Sequence, residues 1–285
     1  MYLYSDGKFL KEEQVCLSPL DRSYLYGEGI FETLKAQEGR VLFFKEHWER
    51  LFKGSQSLGF KINFSEQDLH DILIDLLKKN NFLVARLRVT LSRQNQSWED
   101  PSPKDHLNLL AVASPLTEKE AKEELFPVEA ILLREIRFLS DALSHVKSTS
   151  RLRYLWAYAQ AKAAHCNEAL LLDTEGYLLE GSRSNLFYWN GKAWQTPSLG
   201  TGALPGVTRQ VIIEIFKEAK IPFEEVRAFP EALKNAKEAF LTGSVRGISA
   251  LTKVDGQAIG EAQVGEETQK VFKLWQTRVG QELAD

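Results

Sequence analysis

The sequence predicts two domains of mixed α+β and α/β structure. The 285 residues are sufficient for two modest domains with their own cores, and 44% hydrophobic with 26% charged residues is a globular composition. Apolar segments with strand character recur in both halves, and stretches with helical apolar periodicity lie between them. A polar run at 116–124 predicts a linker between a small N-terminal α/β domain at 1–115 and a larger C-terminal domain at 125–285.

Three strands and two helices are predicted in the first half. The strands are at 40–44, 85–93 and 107–113, where the residues are apolar or alternate in polarity. The helices are at 46–58 and 66–79, where leucine and other apolar residues recur every three or four positions. The polar run that follows is either a linker or a short solvated helix.

The second half is predicted to be a meandering sheet with helices packed on it. A strand at 128–133 precedes a helix at 151–164. One face of this helix is apolar, formed by Leu152, Leu155, Trp156, Ala159 and Ala163. Short strands follow at 168–173, 177–180, 185–189 and 193–196. The last two flank Asn190-Gly191, which is a strong signal for a tight hairpin.

A first candidate for chemistry is Lys147, in Ser144-His-Val-Lys-Ser-Thr-Ser-Arg-Leu152 just before the predicted helix. A lysine amine becomes a useful nucleophile when it is partly buried or when other cations lie nearby. Taken alone, the segment is equally typical of an exposed lysine at a helix start.

A second candidate is Glu180, in Leu179-Glu-Gly-Ser-Arg-Ser-Asn-Leu-Phe187, at the end of one predicted strand and before the next. A carboxylate beside a pyridine nitrogen stabilises the protonated ring, which can then withdraw electrons from a carbanion. Taken alone, Glu180 is also compatible with an ordinary turn residue.

A third candidate is a phosphate cradle in Gly202-Ala-Leu-Pro-Gly-Val-Thr-Arg-Gln210. Glycine lets the backbone approach an anion closely, and the N–H groups at a helix start bind phosphate. Gly206, Val207 and Thr208 would form the cradle, although simple helix capping by Thr208 explains the same residues. Arg50, in His47-Trp-Glu-Arg-Leu51, and the segment Phe240-Leu-Thr-Gly-Ser-Val245 are further candidate phosphate contacts.

Together these features meet the four demands of pyridoxal phosphate: a lysine, a partner for the ring nitrogen, a phosphate cradle and a face for the ring. They also resemble, in order and spacing, the class IV aminotransferase family of fold type IV pyridoxal-phosphate enzymes. The resemblance covers nearly the whole chain and is carried by Asp21-Arg-Ser-Tyr-Leu-Tyr-Gly-Glu-Gly-Ile-Phe-Glu-Thr33, His47-x-x-Arg-Leu51, Lys147-Ser-Thr-Ser-Arg-Leu152, Glu180-Gly-Ser-Arg-Ser-Asn-Leu-Phe187, Leu204-Pro-Gly-Val-Thr-Arg209 and Thr242-Gly-Ser244.

The resemblance implies a two-domain fold like that of D-amino-acid aminotransferase, with pyridoxal 5'-phosphate in the interdomain cleft of a homodimer. It implies that Lys147 is the catalytic residue and carries the cofactor as a Schiff base. It also implies that Glu180 contacts the ring nitrogen and that Leu204 packs on the ring. The phosphate contacts that it implies are Arg50, Val207, Thr208 and Ser244.

Three activities are open within the family. The continuation Ser-Thr-Ser-Arg-Leu-Arg-Tyr after Lys147 resembles 4-amino-4-deoxychorismate lyase and lacks the Gly-Asn-Tyr of branched-chain enzymes. The stretch Ser92-Arg-Gln-Asn-Gln-Ser-Trp-Glu-Asp100 lacks the Arg-x-His carboxylate trap of D-amino-acid enzymes. We therefore predict a lyase that releases pyruvate and p-aminobenzoate for folate synthesis, with aminotransfer from D-amino acids or branched-chain L-amino acids as the alternative.

The candidate substrate residues are Phe31, Arg86, Arg88 and Arg183. Arg86 and Arg88 alternate onto one strand face and are a possible relocated carboxylate site, although solvent exposure explains them equally. Arg183 stands where the family often has a small residue. Glu32 is shared by transaminases and some lyases and does not discriminate between them, and His47, His145 and His165 are predicted to be structural.

The bulk properties favour a small-molecule amino substrate. A net charge of -3 gives no reason to expect nucleic acid, and no segment predicts an export signal or a membrane span. Cys16 and Cys166 lack metal-ligand spacing, so no metal is predicted and a reducing cytoplasm is expected. A remote alternative is a non-catalytic protein that binds pyridoxal phosphate.

Overall fold

A computed structural model describes residues 1–94, 106–122 and 124–284. The chain divides into two compact units. The first comprises Met1–Lys122, Val146–Arg151 and Glu282–Asp285, and the second comprises Glu123–His145 and Leu152–Gln281.

The segment Val146–Arg151 belongs to the first unit, whereas the sequence analysis placed it in the domain at 125–285. Backbone hydrogen bonds explain the difference. The N–H of Phe31 donates to the carbonyl of Lys147 at 2.9 Å, and the N–H of Thr149 donates to the carbonyl of Gly29 at 2.8 Å. The segment therefore runs along the edge of a strand that lies far away in the sequence.

The first unit is built on a six-stranded antiparallel sheet. Its strands are β1 Tyr2–Ser5, β2 Lys8–Lys11, β3 Gly29–Gln37, β4 Arg40–Val41, β5 Ala85–Gln94 and β6 His106–Pro115. Their order across the sheet is β2-β1-β6-β5-β3-β4. The helices of this part of the chain are α1 Arg22–Tyr26, α2 Phe44–Ser57, α3 Glu66–Asn80 and α4 Glu118–Ala121, and a 3-10 turn spans Glu12–Gln14.

The core of this unit contains the apolar stripe of α3 and the inward-facing residues of the sheet. Leu73 and Leu76 are fully buried, as are Leu34 and Leu87 on β3 and β5. Burying a leucine side chain in this way stabilises the fold by about 1.5–3 kcal/mol. The predicted helices at 46–58 and 66–79 and the strands at 85–93 and 107–113 are confirmed.

One predicted strand of the first half is wrong beyond its second residue. The strand expected at 40–44 ends at Val41, and α2 begins at Phe44. Phe43 adopts a left-handed backbone conformation with φ of 52°, which turns the chain out of the extended direction. The apolar run Val41–Phe44 is buried by this turn and not by a strand.

The second unit is built on a nine-stranded mixed sheet. Its strands are β7 Pro127–Leu132, β8 Glu168–Leu172, β9 Leu178–Gly181, β10 Asn185–Trp189, β11 Trp194–Pro197, β12 Phe223–Val226, β13 Glu238–Gly243, β14 Gly247–Val254 and β15 Gln257–Ala258. The order is β12-β11-β10-β13-β14-β7-β8-β9, and β15 pairs with β14. The helices are α5 Leu152–Ala163, α6 Val207–Glu218, α7 Glu231–Asn235 and α8 Glu266–Ala284, with a 3-10 turn at Leu199–Thr201.

Helix α5 packs with a different face from the one that the sequence suggested. Ala157 and Ala161 are fully buried against Ala169 and Leu171 of β8, because small side chains let the helix approach the sheet closely. Leu152 and Leu155 on the predicted apolar face are 79% and 62% exposed. Leu152 and Leu155 are therefore not part of the core of this unit, whereas Tyr154 packs against it.

No helix in the described ranges has both the length and the apolar character that crossing a membrane requires.

Candidate active site

Lys147 is held beside β3 in the first unit. An isolated antiparallel bridge joins Ser148 to Ile30, next to the hydrogen bond between Phe31 N–H and the Lys147 carbonyl. The side chain of Lys147 is half-buried, and its Nζ lies 5.0 Å from the centre of the Phe31 ring. Backbone pairing on both sides of Lys147 thus fixes the position from which its amine extends.

Arg88 lies against the same aromatic ring. Its guanidinium carbon is 3.8 Å from the centre of the Phe31 ring, in cation–π contact. Burial lowers the pKa of Arg88, and the positive charge of Arg151 lowers it further. In the described ranges no carboxylate forms an ion pair with Arg88. Arg88 as a residue is exposed, and an accessible cation next to a second cation is a favourable place for an anionic group to bind.

The other two candidate arginines are engaged elsewhere. Arg86 forms an ion pair with Glu120 at 2.7 Å, and 41% of its side chain is exposed. Arg183 is an exposed residue of the second unit, and its guanidinium carbon lies 3.5 Å from the centre of the Tyr158 ring. In the stretch predicted to lack a carboxylate trap, residues 95–100 lie outside the described residues.

Arg50 belongs to a buried group of three charged or titratable side chains in the first unit. Its Nε donates to Oε1 of Glu32 at 2.8 Å and its Nη2 donates to Oε2 at 2.6 Å, which is a bidentate ion pair. Nδ1 of His47 lies 2.7 Å from the same Oε2. Helix α2 carries His47 and Arg50 on one face because they are three residues apart, and β3 supplies Glu32.

The charges of this group are set by burial and by mutual contact. Burial raises the pKa of Glu32, but Arg50 and the hydrogen bond from His47 outweigh it and bring the pKa down to about 2. Burial lowers the pKa of His47 more than the contact with Glu32 raises it, and Arg50 and Lys147 lower it further. Glu32 is therefore ionised, and His47 is neutral with its proton on Nδ1, where it donates to Glu32.

In the second unit, Glu180 ends β9 as a buried carboxylate with several donors. Asn185 Nδ2 and the backbone N–H of Leu204 both donate to Oε2 at 3.1 Å, and the Tyr154 hydroxyl donates to Oε1 at 3.3 Å. Asn185 Nδ2 also donates to the carbonyl of Leu204 at 2.9 Å. The structure thus brings Glu180, Asn185 and Leu204 together, although 24 residues separate the first from the last.

The start of α6 lies against this group. Gly206 is the N-cap and supplies no side-chain acceptor, and the first turn contains no acidic residue. A Cβ added at Gly206 would collide with Oδ1 of Asn185, so only glycine fits there. The N–H groups and the dipole at such a helix start favour an anion. Val207 and Thr208, the predicted phosphate contacts, are the first two residues of the helix and are buried.

Thr242 adds a donor that the sequence analysis did not single out. It pairs with Asn185 across β10 and β13, and its buried Oγ1 has no hydrogen-bond partner among the described residues. Ser244 follows two residues later and is half-buried. An unsatisfied buried hydroxyl costs about 1–3 kcal/mol, and a phosphate oxygen would satisfy it. The donor set of the second unit therefore fits pyridoxal phosphate: a carboxylate for a ring nitrogen, and an uncapped helix start with hydroxyls for a phosphate.

Sequence reasoning missed Glu32, Asn185, Tyr154 and Thr242 as residues of these two groups. Asn185 and Thr242 stand inside quoted motifs, so strand pairing was the missing information. Nothing local marks Tyr154, which reaches Glu180 from α5. In the described part of the chain, no group of histidine, cysteine, aspartate and glutamate residues is arranged to hold a metal ion.

The chain is similar to several known proteins along nearly its whole length. Residues 29–254 match the model of the amino-transferase class IV family. A putative branched-chain-amino-acid aminotransferase of Methanocaldococcus jannaschii is 32% identical, with 100% of both chains covered. Aminodeoxychorismate lyase of Bacillus subtilis is 30% identical over 97% of this chain and 94% of its own. The branched-chain aminotransferase of Thermoproteus uzoniensis, solved with norvaline, superimposes with a TM-score of 0.90 at 25% identity, covering 99% of this chain and 96% of its own.

Proposed function

The chain belongs to the class IV aminotransferase family, and within this family we propose that it is a 4-amino-4-deoxychorismate lyase, which produces pyruvate and p-aminobenzoate. Membership of the family makes the protein an enzyme with pyridoxal 5'-phosphate as its cofactor. The finer assignment to the lyase is a proposal, supported by the residues around Lys147 and by the cations near it.

The cofactor would be held by the residues that the sequence motifs single out. Lys147 would hold it covalently through Nζ, and Glu180 would contact the ring nitrogen, with Leu204 against the ring. The phosphate would be held by Arg50 and Ser244 and by Val207 and Thr208 at the start of α6. The chemistry that pyridoxal phosphate supplies when bound is the withdrawal of electrons from the substrate carbon that carries the amino group.

Lys147 is the residue proposed to move protons. With the cofactor bound, Nζ of Lys147 would take the proton from the substrate carbon that carries the amino group. The bond between the ring and the oxygen of the enolpyruvyl group then breaks, and Nζ returns a proton to the methylene carbon of that group, which leaves as pyruvate. The remaining ring becomes aromatic p-aminobenzoate.

The observation that carries this proposal is the positive charge beside Lys147. Arg88 is an exposed residue whose guanidinium lies on the Phe31 ring, and Arg151 contributes positive charge to the same place. Aminodeoxychorismate carries two carboxylates, whereas a branched-chain amino acid carries one carboxylate and an apolar side chain. Several cations with an aromatic ring between them favour a dianionic, ring-shaped substrate over an aliphatic one.

An aminotransferase is the second candidate, acting on branched-chain L-amino acids or on D-amino acids. The relative from Methanocaldococcus jannaschii, named as a branched-chain enzyme, favours it because it is 32% identical along the full length. The same Lys147 would then return its proton to a different atom of the substrate-derived group, and a keto acid would leave in place of pyruvate and p-aminobenzoate.

Product analysis of the purified enzyme tests the proposal. Aminodeoxychorismate should yield pyruvate and p-aminobenzoate in equal amounts, and Lys147→Ala should abolish both products. In parallel, D-alanine, D-glutamate and L-leucine are offered with 2-oxoglutarate or pyruvate as acceptor. Efficient amino transfer without elimination would reject the lyase, and a yellow protein with neither activity would point to a non-catalytic binding protein.

Arg88→Met tests whether Arg88 recognises the substrate. Loss of a hydrogen bond to a charged group costs about 1.5–3 kcal/mol, so KM should rise about tenfold to a hundredfold. Arg86→Met is the matched control, since Arg86 lies two residues away on the same strand and pairs with Glu120. Equal effects of the two variants would exclude Arg88 as a specific carboxylate site.

A homodimer is proposed from the exposed apolar residues of both units. Tyr24 and Tyr26 on α1 are 77% and 54% exposed, and Leu152, Leu155 and Trp156 on α5 are 40–79% exposed. Large apolar side chains clustered on a helix face are typical of an interface. The proposed partner is a second copy of this chain, because the family that the chain resembles is usually homodimeric.

A further inference from the structure

Glu168 is a buried carboxylate outside the residues assigned so far. It is the first residue of β8 and is 5% exposed. Its Oε1 accepts hydrogen bonds from the backbone N–H groups of Ala169 at 3.0 Å and Ser182 at 3.1 Å and from the hydroxyl of Ser182, and its Oε2 accepts one from the Ser184 hydroxyl at 2.9 Å. Every donor in this set is neutral, and all but Ala169 belong to one short turn.

That turn joins the two strands that carry Glu180 and Asn185. Gly181 N–H closes it by donating to the Ser184 carbonyl at 2.7 Å. The turn is pressed onto Glu168, because a Cβ added at Gly181 would meet Glu168 Cγ at 3.0 Å and collide with Oγ of Ser184. The two carboxylate oxygens of Glu168 thus hold Ser182 and Ser184, which flank Arg183 in the turn.

The position of Glu180 depends on this turn. Glu180 is the residue before Gly181, and Asn185 is the residue after Ser184. The hydrogen bond from Asn185 Nδ2 to Glu180 Oε2 therefore spans the ends of the turn that Glu168 holds. If the serines were released, the two strand ends could separate, and Glu180 would lose a donor that orients its carboxylate.

We propose that Glu168 is a positioning residue that orients Glu180 toward the ring nitrogen of the cofactor by clamping the turn at Ser182 and Ser184. The proposal rests on the role proposed above for Glu180. It concerns geometry and not charge, because glutamine can accept the same hydrogen bonds through Oε1 while its amide group donates to the Ser184 hydroxyl.

Three substitutions at this position in the holoenzyme test the proposal. Glu168→Ala removes the clamp, and misplacement of a reacting group by about 1 Å can cost about a hundredfold, so kcat should fall about tenfold to a hundredfold. Glu168→Gln should retain kcat within about threefold. Glu168→Asp is the fallback if the alanine variant does not fold, because its shorter side chain cannot reach both serines.

Asp173→Ala is the matched control. Asp173 is also buried and holds the turn at the other end of the β8–β9 hairpin, accepting hydrogen bonds from the N–H groups of Glu175 at 3.0 Å and Tyr177 at 2.9 Å. The Asp173→Ala substitution should lower the stability of the protein without changing kcat or the visible absorbance of the bound cofactor. Glu168→Ala should shift the pH midpoint of that absorbance, because the ring nitrogen loses its oriented carboxylate.

Two outcomes would overturn the proposal. One is a Glu168→Ala protein that is destabilised like Asp173→Ala but keeps the wild-type kcat and absorbance. The other is that Glu168→Ala lowers kcat by the same factor in the Glu180→Ala background as in the wild type. A residue that acts through Glu180 should have little effect on kcat once Glu180 is replaced. The absorbance measurement requires no substrate, so it still tests the role of Glu168 if the lyase assignment is wrong. A wild-type protein that does not bind pyridoxal phosphate would overturn both the proposed function and the proposed role of Glu168.

Discussion

The imidazole of His47 donates through Nδ1 to Oε2 of Glu32 across 2.7 Å, and both side chains are 2% exposed. The same carboxylate receives the bidentate contact of Arg50. One negative charge therefore orients both a neutral ring and a permanent cation in the interior of the first unit. A buried charge of this kind is tolerated only because its partners satisfy it.

Replacing Glu32 by glutamine should destabilise the protein strongly. The substitution leaves the buried Arg50 without its counter-charge, and removing one partner of a buried pair costs about 3–5 kcal/mol. Urea unfolding measures the loss. Glu120→Gln is the control, because it breaks the more exposed ion pair with Arg86 and should cost less than about 1 kcal/mol. Similar losses for the two variants would contradict the buried charge pair.

Stability should fall on acidification in two stages. The pKa of His47 lies below its ordinary value of 6.5, so the unfolded chain binds a proton first and stability declines as pH falls below 6.5. The pKa of Glu32 is about 2 against an ordinary 4.5, so its contribution is complete above 4.5 and is lost as pH falls from 4.5 toward 2.

His47→Asn should remove the first stage, since asparagine keeps a donor near the position of Nδ1 and does not titrate. Melting temperature measured from pH 7.5 downward should then be flatter just below pH 6.5 than in the wild type. His145→Asn, at an exposed position in the second unit, is the control and should leave the profile unchanged. An unchanged slope in His47→Asn would show that another group causes the decline.

Sequence could identify those site residues whose immediate neighbours along the chain form a recognisable motif. Glu180, Leu204 and Thr208 stand in motifs with glycine and strand or helix boundaries, and the structure brings them together in one unit. Glu32 and Glu168 were not singled out for a role. Their partners are 14 to 18 residues away, and the pairing depends on which strand edge and which helix face meet.

Helix α5 shows why an apolar pattern alone is insufficient. Its periodicity correctly predicted a helix, but Leu152, Leu155 and Trp156 are exposed, and two alanines with Tyr154 form the packed face. Hydrophobicity ranks leucine and tryptophan above alanine, whereas close approach of a helix to a sheet selects small side chains. The prediction of a strand at 40–44 is wrong for a related reason. The turn at Phe43 buries the apolar residues without placing them in an extended backbone conformation.

Gly206→Ala should impair the start of α6. The added methyl group would displace Asn185 from its hydrogen bonds to Glu180 and to the Leu204 carbonyl, and overpacking of this kind costs about 1–3 kcal/mol. Weaker binding of pyridoxal phosphate should accompany the loss, measured by titration of the visible absorbance.

Gly280→Ala is the control for this change. Gly280 lies within α8, and an added Cβ there meets no atom within 4 Å. Because alanine favours a helix over glycine by about 0.8–1 kcal/mol, this variant should be slightly more stable and bind the cofactor normally. If both glycine variants bind the cofactor equally well, the start of α6 is not a tightly packed phosphate site.

Leu155→Glu should dissociate the proposed homodimer. Leu155 is 62% exposed on α5 and lies beside Leu152 and Trp156 on the apolar face, so a charge there would be desolvated on association. Sedimentation should show a monomer for this variant and a dimer for the wild type. Lys162→Glu changes charge at an exposed position of the same helix and should remain dimeric. A wild-type monomer, or a dimeric Leu155→Glu protein, would exclude this face as the contact between two copies.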